Sequence, residues 1–249
     1  MNSEPTLPPP PPAAPPTDPS AGLPAALLCD MDGTLVDTER DWLATLAGLL
    51  AAHGAAADDA ALAPFAGLPL DGAAALVSER AGPAAERVAE ALGAAFTARV
   101  RAGVTVQPGA TALLDSARGL GIPVALVTAS ERVVADLVLR TLGAHRFACS
   151  VANGETPRGK PHPDPYLSAA RLLGVPPERC VAVEDTPPGA ASALAAGCRV
   201  LAVPTVPGIP EGPRTLLYPT LEHVDLTALP LREPGRARTW RRAATPFPG

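Results

Sequence analysis

Two carboxylates stand two residues apart at the end of a short apolar run, in residues 25–38, AALLCDMDGTLVDT. The run delivers Asp30; Asp32, Gly33 and Thr34 follow, and a second apolar pair leads to Asp37 and Thr38. Five apolar residues, Ala25 to Cys29, bounded by turn formers read as a fully buried strand. Carboxylates just past the carboxyl end of such a strand sit where open α/β sheets present ligands, and a close pair can divide nucleophilic and acid–base work. The same residues would also make an ordinary Asp-Gly turn, since Asp and Gly favour turns for local reasons. Other strand ends decide between the readings. The apolar runs 123–127 and 180–183 end in Thr128 (with Ala129 and Ser130 behind it) and in Glu184-Asp185. In a parallel sheet these ends share one edge, so Asp30, Thr128, Glu184 and Asp185 converge. Carboxylates with a hydroxyl suit a hard divalent cation such as Mg²⁺. Nineteen of the twenty basic residues are Arg, and the single lysine, Lys160, lies in the loop GKPHPD between the Thr128 and Asp185 strands. An ammonium is a compact point charge where a guanidinium is a planar fork, so this position has a reason to differ.

The elements that must carry these residues alternate. After residue 38 the pattern is helical. Trp42, Leu46, Leu49, Leu50 and His53 share one face, with Thr38 and Asp41 placed to cap it and His53 at the helix end. Shorter helices are expected over 58–65 and 71–81, with turns at Gly67-Leu68-Pro69 and Gly82-Pro83. A longer one over 84–101 carries the stripe Val88, Leu92, Phe96, Val100. From residue 107 onward helices over 109–119, 131–142, 163–173 and 188–196 alternate with strands over 123–127, 147–151, 180–183 and 199–203. That order implies a parallel sheet covered on both faces. Residues 204–219 read as a Pro/Gly loop and 223–229 as a last helix. The fold class is therefore α/β: a Rossmann-like parallel sheet core over 25–37 and 105–229, with an inserted α-helical cap over 38–104.

Composition narrows the rest. The 249 residues are 47% hydrophobic but only 3% aromatic, so the core is built of Ala, Leu and Val. A net charge of −5 offers no basic face for nucleic acid. No apolar stretch reaches the roughly 18 residues of a membrane span, and no basic residue or apolar segment marks a secretory leader before Arg40. Cys29, Cys149, Cys180 and Cys198 show no CxxC or metal-ligand spacing and read as buried thiols in a reducing, cytoplasmic setting. Residues 1–24 hold ten prolines and read as a disordered tail; 230–249 hold five arginines and read as a loose one. No oligomeric state follows from the chain, and a monomer is compatible with all of it.

The segments DMDGTLVDT, the strand-end Thr128, GKPHPD and VEDTPPGAASALAAG resemble, in order and spacing, the four signature motifs of the haloacid dehalogenase superfamily. The helical insert after the first motif resembles the subfamily of phosphoglycolate phosphatases, sugar-phosphate phosphatases and β-phosphoglucomutase. The resemblance covers about residues 25–229. It implies Asp30 as nucleophile forming an aspartyl-phosphate, Asp32 as general acid and then base, and Thr128, Ala129 and Lys160 gripping the phosphoryl group. It implies Mg²⁺ held by Asp30, the Asp32 carbonyl and Asp185, with Glu184 in support. The expected activity is Mg²⁺-dependent hydrolysis of a small phosphorylated metabolite, a sugar phosphate or similar monoester. Dehalogenases of the family lack the second aspartate, which Asp32 supplies; phosphonate-cleaving members need a lysine in the insert, which has none. Mutases also use an insert lysine, with a histidine where Trp42 stands. A β-phosphoglucomutase-like mutase and a non-catalytic phosphate-binding module remain the alternative readings. Arg40, Arg80, Arg87, Arg99 and Arg101 are the insert's candidate anion contacts, and Pro187-Pro188 departs from the expected fourth motif.

Overall fold

A computed structural model describes residues 22–229 except 66, 67 and 69. The expected tails at 1–24 and 230–249, and the Gly67-Leu68-Pro69 turn, thus fall largely outside the described residues. Residues Pro24–Leu226 form one compact unit, which holds the site.

In chain order its elements are β1 (Ala26–Cys29), β2 (Val36–Asp37), α1 (Glu39–Ala52), α2 (Asp59–Leu62), α3 (Leu70–Ala81), α4 (Ala85–Ala102), β3 (Thr105–Val106), α5 (Ala110–Gly119), β4 (Val124–Val127), α6 (Arg132–Leu142), β5 (Cys149–Val151), α7 (Asp164–Leu173), β6 (Cys180–Glu184), α8 (Pro187–Ala196), β7 (Arg199–Ala202) and β8 (Thr215–Leu217). Six strands form one parallel sheet in the order β5-β4-β1-β6-β7-β8, with helices on both faces. β1 pairs with β4 through Leu28↔Ala125 and with β6 through Leu28↔Ala182. It is therefore a central strand, and each of its residues is fully buried, as its unbroken apolar run demands. Alternate residues face opposite ways. Ala26, Leu28, Ala125, Val127 and Ala182 pack with Tyr166 and Ala169 of α7 and Ala190 and Ala193 of α8. Small residues on both sides let these helices lie close to the sheet.

The helical insert has a core of its own, in which Leu46, Leu50, Phe65, Val77, Val88 and Leu92 are buried together. The 3.6-residue stripes of α1 and α4 account for it. Trp42 meets Phe96 edge to face, ring centroids 5.3 Å apart. The chain enters and leaves the insert through β2 and β3, which pair antiparallel at Val36↔Val106 and Asp37↔Thr105. Arg40 Nη2 donates to Thr105 Oγ1 across this ribbon (2.9 Å).

Three expectations change. Residues 204–219 are not all loop, since β8 adds a strand at the sheet edge; three residues between Pro- and Gly-rich flanks are too few to show alternation. The expected helix at 223–229 is a single 3₁₀ turn, Leu221–His223. Cys149 is half-buried where Cys29, Cys180 and Cys198 are buried, because β5 is an edge strand; all four are free thiols. The two prolines after Thr186 open α8, in the first turn where a helix has no use for the missing N–H. Among the described residues no helix is long and apolar enough to cross a membrane.

Candidate active site

The sheet order places the carboxyl ends of β4, β1 and β6 side by side, and the residues after them meet. Asp30 extends β1, its N–H donating to Val183 O of β6 (2.9 Å). Lys160 Nζ donates to three acceptors: Asp30 Oδ1 (2.5 Å), Glu184 Oε1 (2.7 Å) and Val127 O at the end of β4 (3.0 Å). An ammonium has three protons, and each has a partner. Burial works against the Lys160 charge, but Asp30 and Glu184 outweigh it and hold its pKa above the ordinary lysine range. Tyr166, fully buried on α7, donates to the same Glu184 Oε1 (2.5 Å).

Asp32 points to a different set of groups. Its Oδ1 accepts from Thr38 Oγ1 (2.6 Å), and its Oδ2 accepts from Thr128 Oγ1 and Ser130 Oγ (2.9 Å each). Burial first, and then the Asp30 charge, push this carboxyl above the usual range, while the three hydroxyls pull it back. Two aspartates two residues apart thus differ in surroundings: one faces an ammonium, the other a ring of hydroxyls. Ala129 is exposed at the turn between Thr128 and Ser130.

Asp185 accepts from Thr34 Oγ1 (3.0 Å) and Thr205 Oγ1 (2.6 Å). Burial, reinforced by the nearby Asp30 charge, raises its carboxyl to about 8. Carboxylate oxygens of Asp30, Glu184 and Asp185 lie within 4.8 Å of one another, and all three residues are buried. Asp30 Oδ2 is buried without a hydrogen-bond partner. Four carboxyls against one ammonium, with an orphaned oxygen among them, is a donor set that fits a divalent cation of the Mg²⁺ type, which takes oxygen ligands and relieves such crowding.

Glycines let these groups approach. Gly33 has φ +83°, and a Cβ there would meet Asp185 Oδ2; its own carbonyl accepts from Gln107 Nε2 (3.0 Å). A Cβ on Gly189 would strike the Glu184 carboxylate. Gly33→Ala is expected to cost about 1–3 kcal/mol of stability through its left-handed backbone and to displace Asp185. A thermal melt together with a Mg²⁺ titration of activity checks this. An unchanged melting temperature and unchanged Mg²⁺ requirement would sink it.

The structure brings Asp30, Asp32, Thr128, Lys160, Glu184 and Asp185 together. It corrects Thr38, which occupies the N-cap position of α1 but makes no side-chain cap bond; its hydroxyl goes to Asp32 instead. Ser130, Thr34, Thr205 and Tyr166 were missed as partners of the carboxylates. The only signal for Ser130 was a second hydroxyl two residues after Thr128. Of the insert's arginines, Arg80 lies over the Phe65 ring (5.0 Å) and donates to Ala61 O, a packing role. The Trp42 indole N–H is buried without a partner.

The family model of haloacid dehalogenase-like hydrolases matches residues 24–197, and the chain belongs to this family. Among curated relatives, hexitol phosphatase A of Escherichia coli is 36% identical over 214 residues, covering 82% of this chain and 94% of the relative. Validoxylamine A 7′-phosphate phosphatase of Streptomyces hygroscopicus subsp. limoneus is 35% identical, covering 68% and 81%. Among solved structures, a variant of CbbY from Rhodobacter sphaeroides in complex with xylulose 1,5-bisphosphate superposes with a TM-score of 0.69 at 25% identity, covering 81% of this chain and 96% of that one.

Proposed function

We propose that the protein is a Mg²⁺-dependent phosphatase that hydrolyses a small sugar or polyol phosphate through an aspartyl-phosphate on Asp30. It is a phosphoric monoester hydrolase, like the hexitol and validoxylamine phosphate phosphatases it resembles. One observation carries the mechanism: the two aspartates are held by opposite kinds of partner, Asp30 by the Lys160 ammonium and Asp32 by three hydroxyls.

The Asp30 carboxylate is placed to attack phosphorus in line; the new P–O bond to Asp30 forms as the ester P–O bond breaks. Asp32, with its raised pKa, gives its proton to the departing alkoxide oxygen. In the second step water attacks the same phosphorus, Asp32 takes a proton from it, and the bond to Asp30 breaks to release phosphate. The hydroxyls of Thr38, Thr128 and Ser130 keep the Asp32 carboxyl aimed in both protonation states, since each can donate or accept. Mg²⁺, when bound, would neutralise phosphoryl charge, held by Asp30, the Asp32 main-chain carbonyl and Asp185, with Glu184 behind them. Lys160 and the 128–129 segment bind the phosphoryl oxygens, Lys160 exchanging one of its present acceptors. Residues 38–104 act as a cap over a core of 25–37 and 105–229, and the β2–β3 ribbon is the hinge through which closure excludes water. Free, largely buried thiols support a reducing compartment such as the cytoplasm.

The direct test is phosphate release from a panel of hexitol, sugar, glycerol and glycolate phosphates with and without Mg²⁺; no release from any of them sinks the reading. In a single turnover, Asp32→Asn is expected to slow release of an alkyl leaving group by about 10²–10⁴-fold while slowing the nitrophenolate burst from p-nitrophenyl phosphate far less, because nitrophenolate leaves without a proton. Equal losses on both substrates would remove Asp32 from the acid role.

A further inference from the structure

Between the insert and the core lies a cleft of about 390 Å³, walled by Glu90, Thr97 and Arg101 of α4 on one side and by Glu131 on the other. That volume lies in the range of small-molecule sites. Its place follows from helix geometry. The stripe Val88, Leu92, Phe96 and Val100 turns into the insert's own core, so the neighbouring face, Glu90, Gly93, Ala94, Thr97 and Arg101, turns outward toward the core domain. Gly93 and Ala94 leave room on that face. Glu131 directly follows Ser130, whose hydroxyl bonds Asp32 and whose N–H bonds Thr128 (2.9 Å each), so this wall of the cleft is the next residue along the chain from a side chain that touches Asp32.

We propose that this cleft receives the part of the substrate that leaves with the ester oxygen, and that its charge selects a neutral, hydroxyl-rich group over one carrying a second phosphate. The proposal rests on the phosphatase reading above. Its lining holds two carboxylates against one guanidinium. Carboxylates only accept hydrogen bonds and guanidinium only donates; a hydroxyl does both, so a polyol chain satisfies Glu90, Glu131, Thr97 and Arg101 alike. A phosphate of charge −1.5 to −2 only accepts at neutral pH and finds Arg101 and Thr97 alone, facing two like charges. Discrimination here comes as much from repelling the wrong ligand as from binding the right one. The chain's two kinds of relative pose that choice, one named for hexitol phosphates and one seen with a bisphosphate.

The test compares kcat/KM for a hexitol 6-phosphate with that for a pentulose 1,5-bisphosphate. The wild-type protein is expected to favour the monophosphate. Glu131→Gln is expected to move the ratio toward the bisphosphate by about tenfold, the size of one like charge removed from an open cleft, and Glu131→Lys to move it further. Ala94→Leu, which fills the cleft, is expected to raise KM for the hexitol phosphate. A wild-type preference for the bisphosphate, or a ratio unmoved by both Glu131 variants while circular dichroism shows them folded, overturns the proposal. Acetyl phosphate, whose two-carbon leaving group is too short to span the cleft, separates the two failures. Mg²⁺-dependent release from it by the wild-type protein keeps the phosphatase reading even when the ratio test fails. No release from any substrate overturns both.

Discussion

Asp30→Asn is expected to lower kcat by at least about four orders of magnitude, the scale seen when a covalent nucleophile is removed, and to leave the protein folded. The substitution keeps the shape of the side chain and removes its nucleophilic charge. Folding survives because Lys160 retains Glu184 and the Val127 carbonyl as acceptors, and the Asn carbonyl can still take the third proton. Removing the Asp30 charge also relieves Asp32 and Asp185, whose carboxyls it pushes up. The melting temperature without Mg²⁺ is therefore expected to stay level or rise as activity vanishes. Activity within a hundredfold of wild type would end the covalent mechanism. A collapse of the fold would instead make Asp30 a structural residue first.

Lys160→Ala is expected to cost both activity and stability. The side chain of Lys160 is 7% exposed, that of Asp30 9% and that of Glu184 not at all. Removing the ammonium strands two buried carboxylates and a strand-end carbonyl, and breaking a buried pair in this way costs about 3–5 kcal/mol. In a chain of this length that lowers the melting temperature by about 10 °C. Because the cost is excess negative charge, added Mg²⁺ is expected to recover part of it by mass action, whereas simple loss of packing would not respond. Thermal melts with and without Mg²⁺ decide the matter. A shift of only one or two degrees would show that Lys160 is not the counter-ion of the site. Lys160→Arg keeps the charge but not the shape, since three acceptors converge on one nitrogen and a planar fork spreads its donors. It is expected to recover some stability and little activity.

Much of this arrangement was legible along the chain because its causes are local. A fully buried strand must be an unbroken apolar run, so β1, β4 and β6 announced themselves, and the polar residue that ends each run had to lie at the sheet's edge. Helices α1 and α4 were readable from stripes of period 3.6. Lys160 stood out through composition, as the single ammonium among nineteen guanidiniums. Weak or short periods were lost: β8 spans three residues, and the β2–β3 ribbon that ties the insert to the core spans two on each side.

By itself, then, the sequence determined which residues end the strands and which segments carry the reactive groups. The tertiary structure decided which groups meet. Asp30 faces Lys160 across 130 residues, and Asp185 takes its hydroxyl from Thr34 across 151. Pairings at such range follow the order in which strands join the sheet, and no period along the chain encodes that order. Thr38 shows the difference most plainly. A threonine before a helix reads as a cap, because capping needs only the next few residues. With β1 set between β4 and β6, its hydroxyl joins those of Thr128 and Ser130 on Asp32 and leaves the helix end without a side-chain cap. Glu131 is the same case at the cleft. In the chain it is an ordinary charge before α6, and only the packing of α4 against that end makes it a wall of the candidate substrate site.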